Sequence, residues 1–337
     1  MNLPERLERN VRTRLSIPLA LVFVTLQIIG SASAQVWPTR PVTMVVPSAA
    51  GSSGDVLVRI LSPGLSERLG QQVVVENVGG AGGMTAVSRV ARAAPDGYQF
   101  VRGDVGSHAM NQTLYRQPLY NAATDFVPVA LIAETPLLLV VRRDLPINSL
   151  SEFIAYVKAN QDKMQYGSAG AGSSTHLACV LLNTTIGANV MHIPYRGGGP
   201  AMQDLVAGRI DYQCPGIAVA APQIQSKNVK AIAILAKHRS QILPALPSAH
   251  EQGLTDFEAG SWYGFFLPKG TPASIVQRLH EATVETLNTP SIQQRATEAG
   301  FTIVSPERRT PQYLQNFVES EIVKWAGAIK ASGVALD

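Results

Sequence analysis

Three short stretches rich in small residues carry the chemistry that this sequence offers: residues 47–55, residues 167–176 and residues 195–201. Each stretch follows an apolar run typical of a strand and leads into a helical pattern. The first turn of a helix leaves backbone N–H groups without intrahelical partners and with partial positive charge, and small side chains let an anion reach them. The sequence therefore predicts anion binding at these turns, although glycine and serine are also ordinary helix caps.

Two known phosphate-binding motifs are absent from these turns, and their absence limits the kind of anion that the turns could bind. A phosphate-binding P-loop needs a lysine after its second glycine, and none of these turns supplies one. The dinucleotide fingerprint also fails, because the glycine pairs Gly80/Gly82 and Gly170/Gly172 are each followed by threonine where the third glycine should stand. Nucleotides are therefore disfavoured, and a carboxylate suits a set of donors made only of N–H and hydroxyl groups.

No catalytic or metal-binding pattern accompanies the turns. The nucleophile elbow Gly-x-Ser-x-Gly fails around Ser53, because Asp55 stands in the place of the last glycine. His250-Glu251 is not followed by the second histidine of a zinc protease motif. We therefore expect no catalytic residue, no metal and no cofactor, and a serine hydrolase acting through Ser53 or Ser173 is the alternative from the enzyme class.

The elements that must position these turns follow from the pattern of apolar residues. Short β-branched runs alternate with helical patterns, which predicts an α/β fold with parallel sheets and crossover helices. A length of 337 residues suggests two domains at roughly 150 residues each. Three helical stretches over residues 272–332 show no strand between them and are expected to cap the first domain.

The first 34 residues read as a signal peptide. Several arginines precede an apolar stretch from Leu15 to Ile29, and the small residues Ala32-Ser33-Ala34 follow it. The apolar stretch is shorter than the about 20 residues of a spanning helix, so we expect cleavage after Ala34 and a soluble protein of the periplasm. An uncleaved N-terminal anchor is the alternative.

The net charge argues against a nucleic-acid-binding protein, and the cysteine content raises the question of a disulfide. Removal of residues 1–34 lowers the net charge from +4 to +2, which gives no reason to expect nucleic acid as a partner. Only two cysteines are present, Cys179 in a helical pattern and Cys214 at the end of a strand pattern. Their spacing leaves open whether they form a disulfide or are two separate buried side chains.

A series of short motifs along nearly the whole mature chain resembles the TctC or Bug (Bordetella uptake gene) family, the periplasmic solute-binding proteins of tripartite tricarboxylate transporters. The motifs that carry this resemblance are Trp37 to Pro47, Ala49 to Gly51 with Asp55 and Arg59, Val75 to Asn77, Gly80 to Gly83, Ala94 to Tyr98, Asp125 to Val129, Tyr166 to Gly170, His176-Leu177, Pro194 to Gly197, Asp204 to Gly208 and Trp262 to Gly264.

The resemblance implies a two-domain periplasmic-binding-protein fold of the Venus flytrap kind (type II), with two crossing strands as the hinge and the ligand cleft between the domains. We accordingly expect residues 36–136 plus 257–337 to form domain 1 and residues 137–256 to form domain 2. The implied function is capture of a small organic carboxylate for uptake through the membrane subunits of the transporter. A carboxylate-sensing co-receptor of a sensor kinase is the alternative, and in either case we expect a monomer.

The same resemblance implies that one carboxylate of the ligand is held by the first two turns, where the anion-binding prediction also falls. We add Ser107, His176, Tyr195 and Arg196 as rim or specificity contacts. The full set of expected ligand-binding residues is Ser48, Ala49, Ala50, Gly51, Ser52, Ser53, Ser107, Ser168, Ala169, Gly170, Gly172, Ser173, Ser174, His176, Tyr195 and Arg196.

Asp55 matches the acidic residue that ends the family's first turn. A carboxylate beside a bound anion would be repulsive, so we expect Asp55 to orient the turn and cap its helix instead of touching the ligand. The sequence departs from the family where Ser48 replaces an aromatic residue, where Ser52 replaces the second glycine of a pair, and at Cys214, where an aromatic residue is common. The size of the ligand therefore cannot be borrowed from relatives.

Overall fold

The computed structural model describes residues 37–332 and residue 335. The predicted signal peptide lies outside these described residues. Within them, no helix combines the length and the apolar character that crossing a membrane would require.

The strands of the described chain form two separate sheets. The strands are β1 (Val42–Val46), β2 (Val73–Asn77), β3 (Gln99–Asp104), β4 (Phe126–Pro136), β5 (Leu138–Arg142), β6 (Gln165–Ser168), β7 (Met191–Pro194), β8 (Tyr212–Gln213), β9 (Val229–Ile234), β10 (Gly260–Pro268) and β11 (Thr302–Ile303). The first sheet has the order β11-β4-β10-β3-β1-β2, and the second has the order β7-β6-β8-β5-β9.

Helices follow most of the strands. They are α1 (Ser53–Leu69), α2 (Met84–Ala91), α3 (Asn111–Leu114), α4 (Leu150–Asn160), α5 (Ser174–Ile186), α6 (Gly198–Val206), α7 (Ile217–Gln225), α8 (Ala273–Leu287), α9 (Pro290–Glu298) and α10 (Pro311–Ser332). Short 3₁₀ turns lie at Ala81–Gly83, Gln161–Lys163 and Pro306–Arg308, and a π-helical turn lies at Gly106–Met110.

The two sheets divide the molecule into two lobes, which confirms the expected two-domain α/β fold. Residues 37–136 and 260–332, which hold the six-stranded sheet, are called lobe 1 here, and residues 137–259, which hold the five-stranded sheet, are called lobe 2. The domain limits expected from the sequence, at residues 136/137 and 256/257, stay a prediction. Each sheet is covered on both faces, as the alternation in β1 illustrates: Val42, Met44 and Val46 enter one core cluster and Val45 enters another.

The expectation of parallel sheets is wrong for the strands that connect the lobes. Strands β1, β2 and β3 are parallel, as are β6, β7 and β8, but β10 runs antiparallel to β3 and β4, and β5 runs antiparallel to β8 and β9. The physical reason is that the chain leaves lobe 1 through β4 and returns through β10, so these two strands must run in opposite directions.

The two connections between the lobes lie side by side and are hydrogen-bonded. Leu137 N donates to Ala259 O at 3.0 Å, and Leu235 N donates to Leu137 O at 2.8 Å. Gly260 pairs with Pro136 at the end of the sheet of lobe 1. The lobes are therefore joined along one narrow line of backbone, which is the arrangement that the resemblance implied for a hinge.

The C-terminal helices pack on lobe 1, as expected, with α8 and α10 against β4 and α9 against α1. The expectation that no strand separates them is wrong, because β11 lies between α9 and α10 and pairs with β4 through Thr302 and Ile303. This strand is only two residues long, too short for an apolar run to reveal it in the sequence.

The structure answers whether the two cysteines are paired. Cys179 in α5 and Cys214, directly after β8, form a disulfide with a Cα–Cα distance of 5.7 Å, and both residues are fully buried. The bond ties the helix that begins at the second glycine-rich turn to the middle strand of the sheet of lobe 2.

Replacing both cysteines by alanine is expected to lower the free energy of unfolding by about 2–4 kcal/mol, because the bond closes a loop across a sequence separation of 35 residues. Urea unfolding followed by circular dichroism measures the change. The wild type under reducing conditions should approach the Cys179→Ala/Cys214→Ala variant, and that variant should not respond to the reductant. Equal unfolding midpoints for the oxidised wild type and the variant would contradict the stabilising role.

Candidate ligand-binding site

A small cavity lies between the two lobes. Its volume is about 50 Å³, measured as the space open to the centre of a water molecule. Lobe 1 contributes Pro47, Ser48, Ser52, Ser53, Gly54, Gly82, Arg102, Asp104 and Tyr263 to its wall, and lobe 2 contributes Leu137, Ala169, Ser173, Ser174, Thr175, Gly198, Pro215, Gly216 and Val219.

Four helices direct their first residues at this cavity. The wall residues at helix starts are Ser52 to Gly54 of α1, Ser173 to Thr175 of α5, Gly198 of α6 and the capping residue Gly216 of α7. Because the first N–H groups of a helix have no intrahelical partner and carry partial positive charge, four such ends at one cavity make it favourable for an anion. Lobe 1 supplies one of these helices and lobe 2 supplies three.

The first turn is held in shape by Asp55. Its carboxylate accepts hydrogen bonds from Gly51 N at 2.8 Å, from Asn77 Nδ2 at 2.9 Å and from Arg59 Nε at 3.0 Å. Asp55 is buried and does not border the cavity. Burial alone would raise the pKa of Asp55, but the hydrogen bonds from Arg59, Gly51 and Asn77 outweigh it and hold that pKa below its ordinary value. These contacts bear out the expected orienting role, but the expected capping role is wrong, because Ser52 and not Asp55 stands at the N-cap of α1.

The second turn is fixed by its own side chains. Ser173 caps α5 by accepting a hydrogen bond from His176 N at 3.3 Å, and its hydroxyl donates to Gly170 O at 2.7 Å. Thr175 Oγ1 accepts from Ala169 N at 2.8 Å. The shape of the second turn is therefore stabilised by hydrogen bonds within the turn itself.

His176 and Ser168 belong to the interior of lobe 2. His176 accepts from Gly172 N at 3.2 Å through Nδ1 and stacks on His192 at a centroid distance of 4.1 Å. Burial, and to a lesser extent the neighbouring His192, lower the pKa of His176 to about 3, so the ring is neutral. Ser168 Oγ lies 2.7 Å from His192 Nε2. Neither Ser168 nor His176 borders the cavity.

The expected ligand-binding residues therefore fall into two groups. Ser48, Ser52, Ser53, Ala169, Ser173 and Ser174 border the cavity. The others lie behind the turns or beside them; they are Ala49, Ala50, Gly51, Ser107, Ser168, Gly170, Gly172, His176, Tyr195 and Arg196. Tyr195 donates its hydroxyl to Asp204 at 2.8 Å, and the carbonyl of Arg196 accepts a hydrogen bond from Ala49 N at 3.0 Å.

The contact between Ala49 and Arg196 joins the two lobes directly. Tyr115 of lobe 1 likewise donates its hydroxyl to Ala171 O of lobe 2 at 3.3 Å. Glycines permit this close approach: a Cβ added at Gly79 would lie 2.6 Å from Arg196 O, and one at Gly82 would lie 2.3 Å from Ala171 O. The lobes are therefore closed on each other in this structure.

Sequence reasoning missed a buried ion pair in the cavity wall. Arg102 Nη1 donates to Asp104 Oδ2, and the side chain of Arg102 is only 1% exposed. The guanidinium carbon lies 5.3 Å from the ring centroid of Tyr263, whose pKa is raised to about 12, chiefly by burial. The available signal was the spacing of Arg102 and Asp104, two charged residues that lie two positions apart and therefore on the same face of β3.

The start of α7 was also missed. Pro215 and Gly216 lie between β8 and α7, in the same strand-to-helix arrangement as the other turns. The sequence signal was a Pro-Gly pair between an apolar run and a helical pattern.

Comparison with known proteins agrees with this architecture. The sequence model of the family described as "Tripartite tricarboxylate transporter family receptor" (TctC) matches residues 57–334. The chain is 34% identical over 325 residues to the protein BugT of Bordetella pertussis. This alignment covers 96% of the chain and 99% of BugT. The chain is 38% identical over 297 residues to a UPF0065 protein of Agrobacterium vitis, with 88% of this chain and 86% of that protein covered.

Solved structures show the same fold. The structure of the periplasmic binding protein BugD superposes on this one with a TM-score of 0.86 and is 38% identical in sequence. The superposition covers 89% of this chain and 99% of BugD. MatC from Rhodopseudomonas palustris, solved with bound malate, gives a TM-score of 0.85 at 39% identity over 87% of this chain and 100% of MatC. Rpa4515 of R. palustris, solved with adipate, gives 0.85 at 35% identity over 89% of this chain and 99% of that one.

The Asp55→Asn variant is expected to lose roughly 1.5–3 kcal/mol of unfolding free energy at pH 7, because an ionised acceptor of several buried donors is lost. Since the folded-state pKa of Asp55 lies below its ordinary value of 3.8, this contribution is present above that value and disappears as the pH falls through the folded-state pKa. The difference between wild type and variant should therefore shrink between pH 6 and pH 2.5, measured by urea unfolding.

The exposed Asp162 offers the control for that experiment. Asp162→Asn should change the unfolding free energy by less than about 0.5 kcal/mol at either pH. A difference between wild type and Asp55→Asn that stayed constant across this pH range would contradict the assigned role of the carboxylate.

Proposed function

Because the chain belongs to the tripartite tricarboxylate transporter receptor (TctC) family, we propose that it captures a small organic carboxylate between its two lobes. The captured acid is then handed to the membrane subunits of a tripartite tricarboxylate transporter. The observation that carries the proposal is the convergence of four helix starts, from both lobes, on one cavity. The malate bound by MatC and the adipate bound by Rpa4515 support the same class of ligand.

The donors proposed to hold the carboxylate are the N–H and hydroxyl groups of Ser53 in lobe 1 and of Ser174 in lobe 2. Ser48, Ser52, Ala169 and Ser173 lie beside them in the wall, and the N–H and hydroxyl groups of Ser52 and Ser173 already donate to Ala49 O and Gly170 O. Removing a carboxylate from water costs several kcal/mol. Each charge-assisted hydrogen bond returns roughly 1.5–3 kcal/mol, so about four or five donors are needed for a dissociation constant near 1 μM, equivalent to about −8 kcal/mol. A ligand that uses donors of both lobes therefore favours the closed form over the open one.

The size of the cavity supports a small ligand. A site of about 50 Å³ on this measure holds only a few water molecules, each of which needs roughly 10–15 Å³. In this proposal the transporter recognises the closed form, whose two lobes present one continuous surface.

A thermal-shift screen of carboxylic acids on the mature protein tests the function. An acid present at about 100 times its dissociation constant should stabilise the fold by about 2.7 kcal/mol, which corresponds to a rise in Tm of roughly 4 °C for a chain of this length. The uncharged amide of the same acid is the control and should give no shift. The acid recovered afterwards should be chemically unchanged, whereas turnover would favour the hydrolase alternative. Absence of a shift with every acid would overturn the proposal.

Gly79→Ala is expected to block closure without harming either lobe. The added Cβ would lie 2.6 Å from the backbone oxygen of Arg196 across the cleft, and Gly79 needs no left-handed conformation. Affinity for an acid found in the screen should fall at least about tenfold, because the donors of the two lobes no longer meet. Small-angle scattering should show that the compaction on ligand addition is lost. Isothermal calorimetry measures the affinity.

Gly327→Ala in α10 is the matched control, because nothing lies within 4 Å of the Cβ that it would add. This control should keep both the affinity and the compaction of the wild type. If Gly79→Ala also bound the acid like the wild type, closure would not be part of the binding mechanism.

A further inference from the structure

The ion pair between Arg102 and Asp104 lies in the wall of the cavity, yet its two members differ in what they present to it. The side chain of Arg102 is 1% exposed and that of Asp104 is 19% exposed. The guanidinium is packed under the first turn of α1, where a Cβ on Gly54 would lie 2.6 Å from its central carbon. The charged group that a ligand meets is therefore the carboxylate of Asp104.

Arg102 serves to keep this carboxylate ionised and in place. Burial alone would raise the pKa of Asp104, but the charge of Arg102 and the hydrogen bonds from Ser107 outweigh burial and hold that pKa below its ordinary value. Within the described residues, Arg102 Nε has no hydrogen-bond partner, and Arg102 Nη2 reaches Ser48 Oγ only at 3.5 Å. Arg102 is thus a positioning residue, bound chiefly to Asp104.

Ser107 and His108 fix one oxygen of Asp104 and leave the other incompletely used. Oδ1 accepts a hydrogen bond from Ser107 N at 2.9 Å and lies 3.0 Å from Ser107 Oγ. Ser107 Oγ in turn lies 3.0 Å from Nδ1 of His108, whose pKa burial lowers to about 3. Oδ2 accepts from Arg102 alone among the described residues, which leaves it capacity for a second donor.

We propose that Asp104 selects ligands that carry a hydrogen-bond donor, a hydroxyl or an ammonium group, next to the carboxylate held by the helix starts. This inference rests on the proposed function and narrows its substrate class to hydroxy acids and amino acids. A plain acid leaves Asp104 Oδ2 without a second donor between the two lobes, and a polar group left without its partner on binding is what allows strong discrimination against a ligand that lacks the donor. An additional carboxylate placed at Asp104 would be repelled by its like charge.

The test uses sets of acids that share one carbon skeleton and differ only by H, OH or NH₃⁺ next to a carboxylate. Propionate, lactate and alanine form one set, and succinate, malate and aspartate form the other. Calorimetry with the mature wild-type protein should give an affinity about 10- to 100-fold higher for a donor-bearing member than for the plain acid of its set. The hydroxyl and ammonium members within each set tell which donor is preferred.

A double variant, Arg102→Met with Asp104→Asn, removes both charges together and so avoids leaving a buried guanidinium without its counter-ion. In this variant the preference within a set should fall to less than about threefold, because the carboxylate that a plain acid leaves without a donor is gone. The single variant Asp104→Asn should show the same loss of preference. Circular dichroism verifies that each variant is folded. A purely structural role would weaken all members of a set equally and leave their ratio unchanged.

The exposed ion pair between Arg89 and Glu76, at 2.7 Å and away from the cavity, provides the matched control. The variant Arg89→Met with Glu76→Gln should keep the wild-type ratio. Plain acids that bind the wild type as tightly as their hydroxy and amino counterparts would overturn the inference and leave the proposed function standing. If no acid of any kind binds, the proposed function itself fails and this inference fails with it.

Discussion

The free N–H groups at the first turns of helices are the feature on which this structure depends. A single helix start is an ordinary surface feature, but four of them around one cavity create a concentrated positive potential without a row of cationic side chains. Two domains are needed for this arrangement, because α1 belongs to lobe 1 whereas α5, α6 and α7 belong to lobe 2. The sheets serve to aim the helices at one point.

Side-chain hydrogen bonds and the disulfide hold the helix starts in this orientation. Asp55 ties the first turn to β2 through Asn77, and Ser173 ties the second turn to its own helix. The disulfide joins α5 to the end of β8, so the helix is fixed at its start and in its first half. Turns that are already held by such contacts lose less conformational entropy when a ligand binds. The movement that remains is that of one lobe relative to the other.

Much of this could be predicted from the sequence, and the remainder could not, for identifiable reasons. The two-domain α/β fold was predicted from the alternation of short β-branched runs with helical patterns, because such patterns report which residues are buried. The turns were found through their glycines and serines, but which residues border the cavity depends on the packing of the second lobe. Arg102 was missed because a buried cation is identified by its partners, and only the structure shows that Asp104 is its partner.

The order of strands in the six-stranded sheet also affects how the chain can fold. Strand β10 lies between β4 and β3, so this sheet stays split until residues 260–268 have been made. The five-stranded sheet, by contrast, is drawn from one uninterrupted piece of chain and can be completed earlier during synthesis. Lobe 2 can therefore fold before lobe 1 is complete. Once folded, lobe 2 holds the two separate parts of lobe 1 close together.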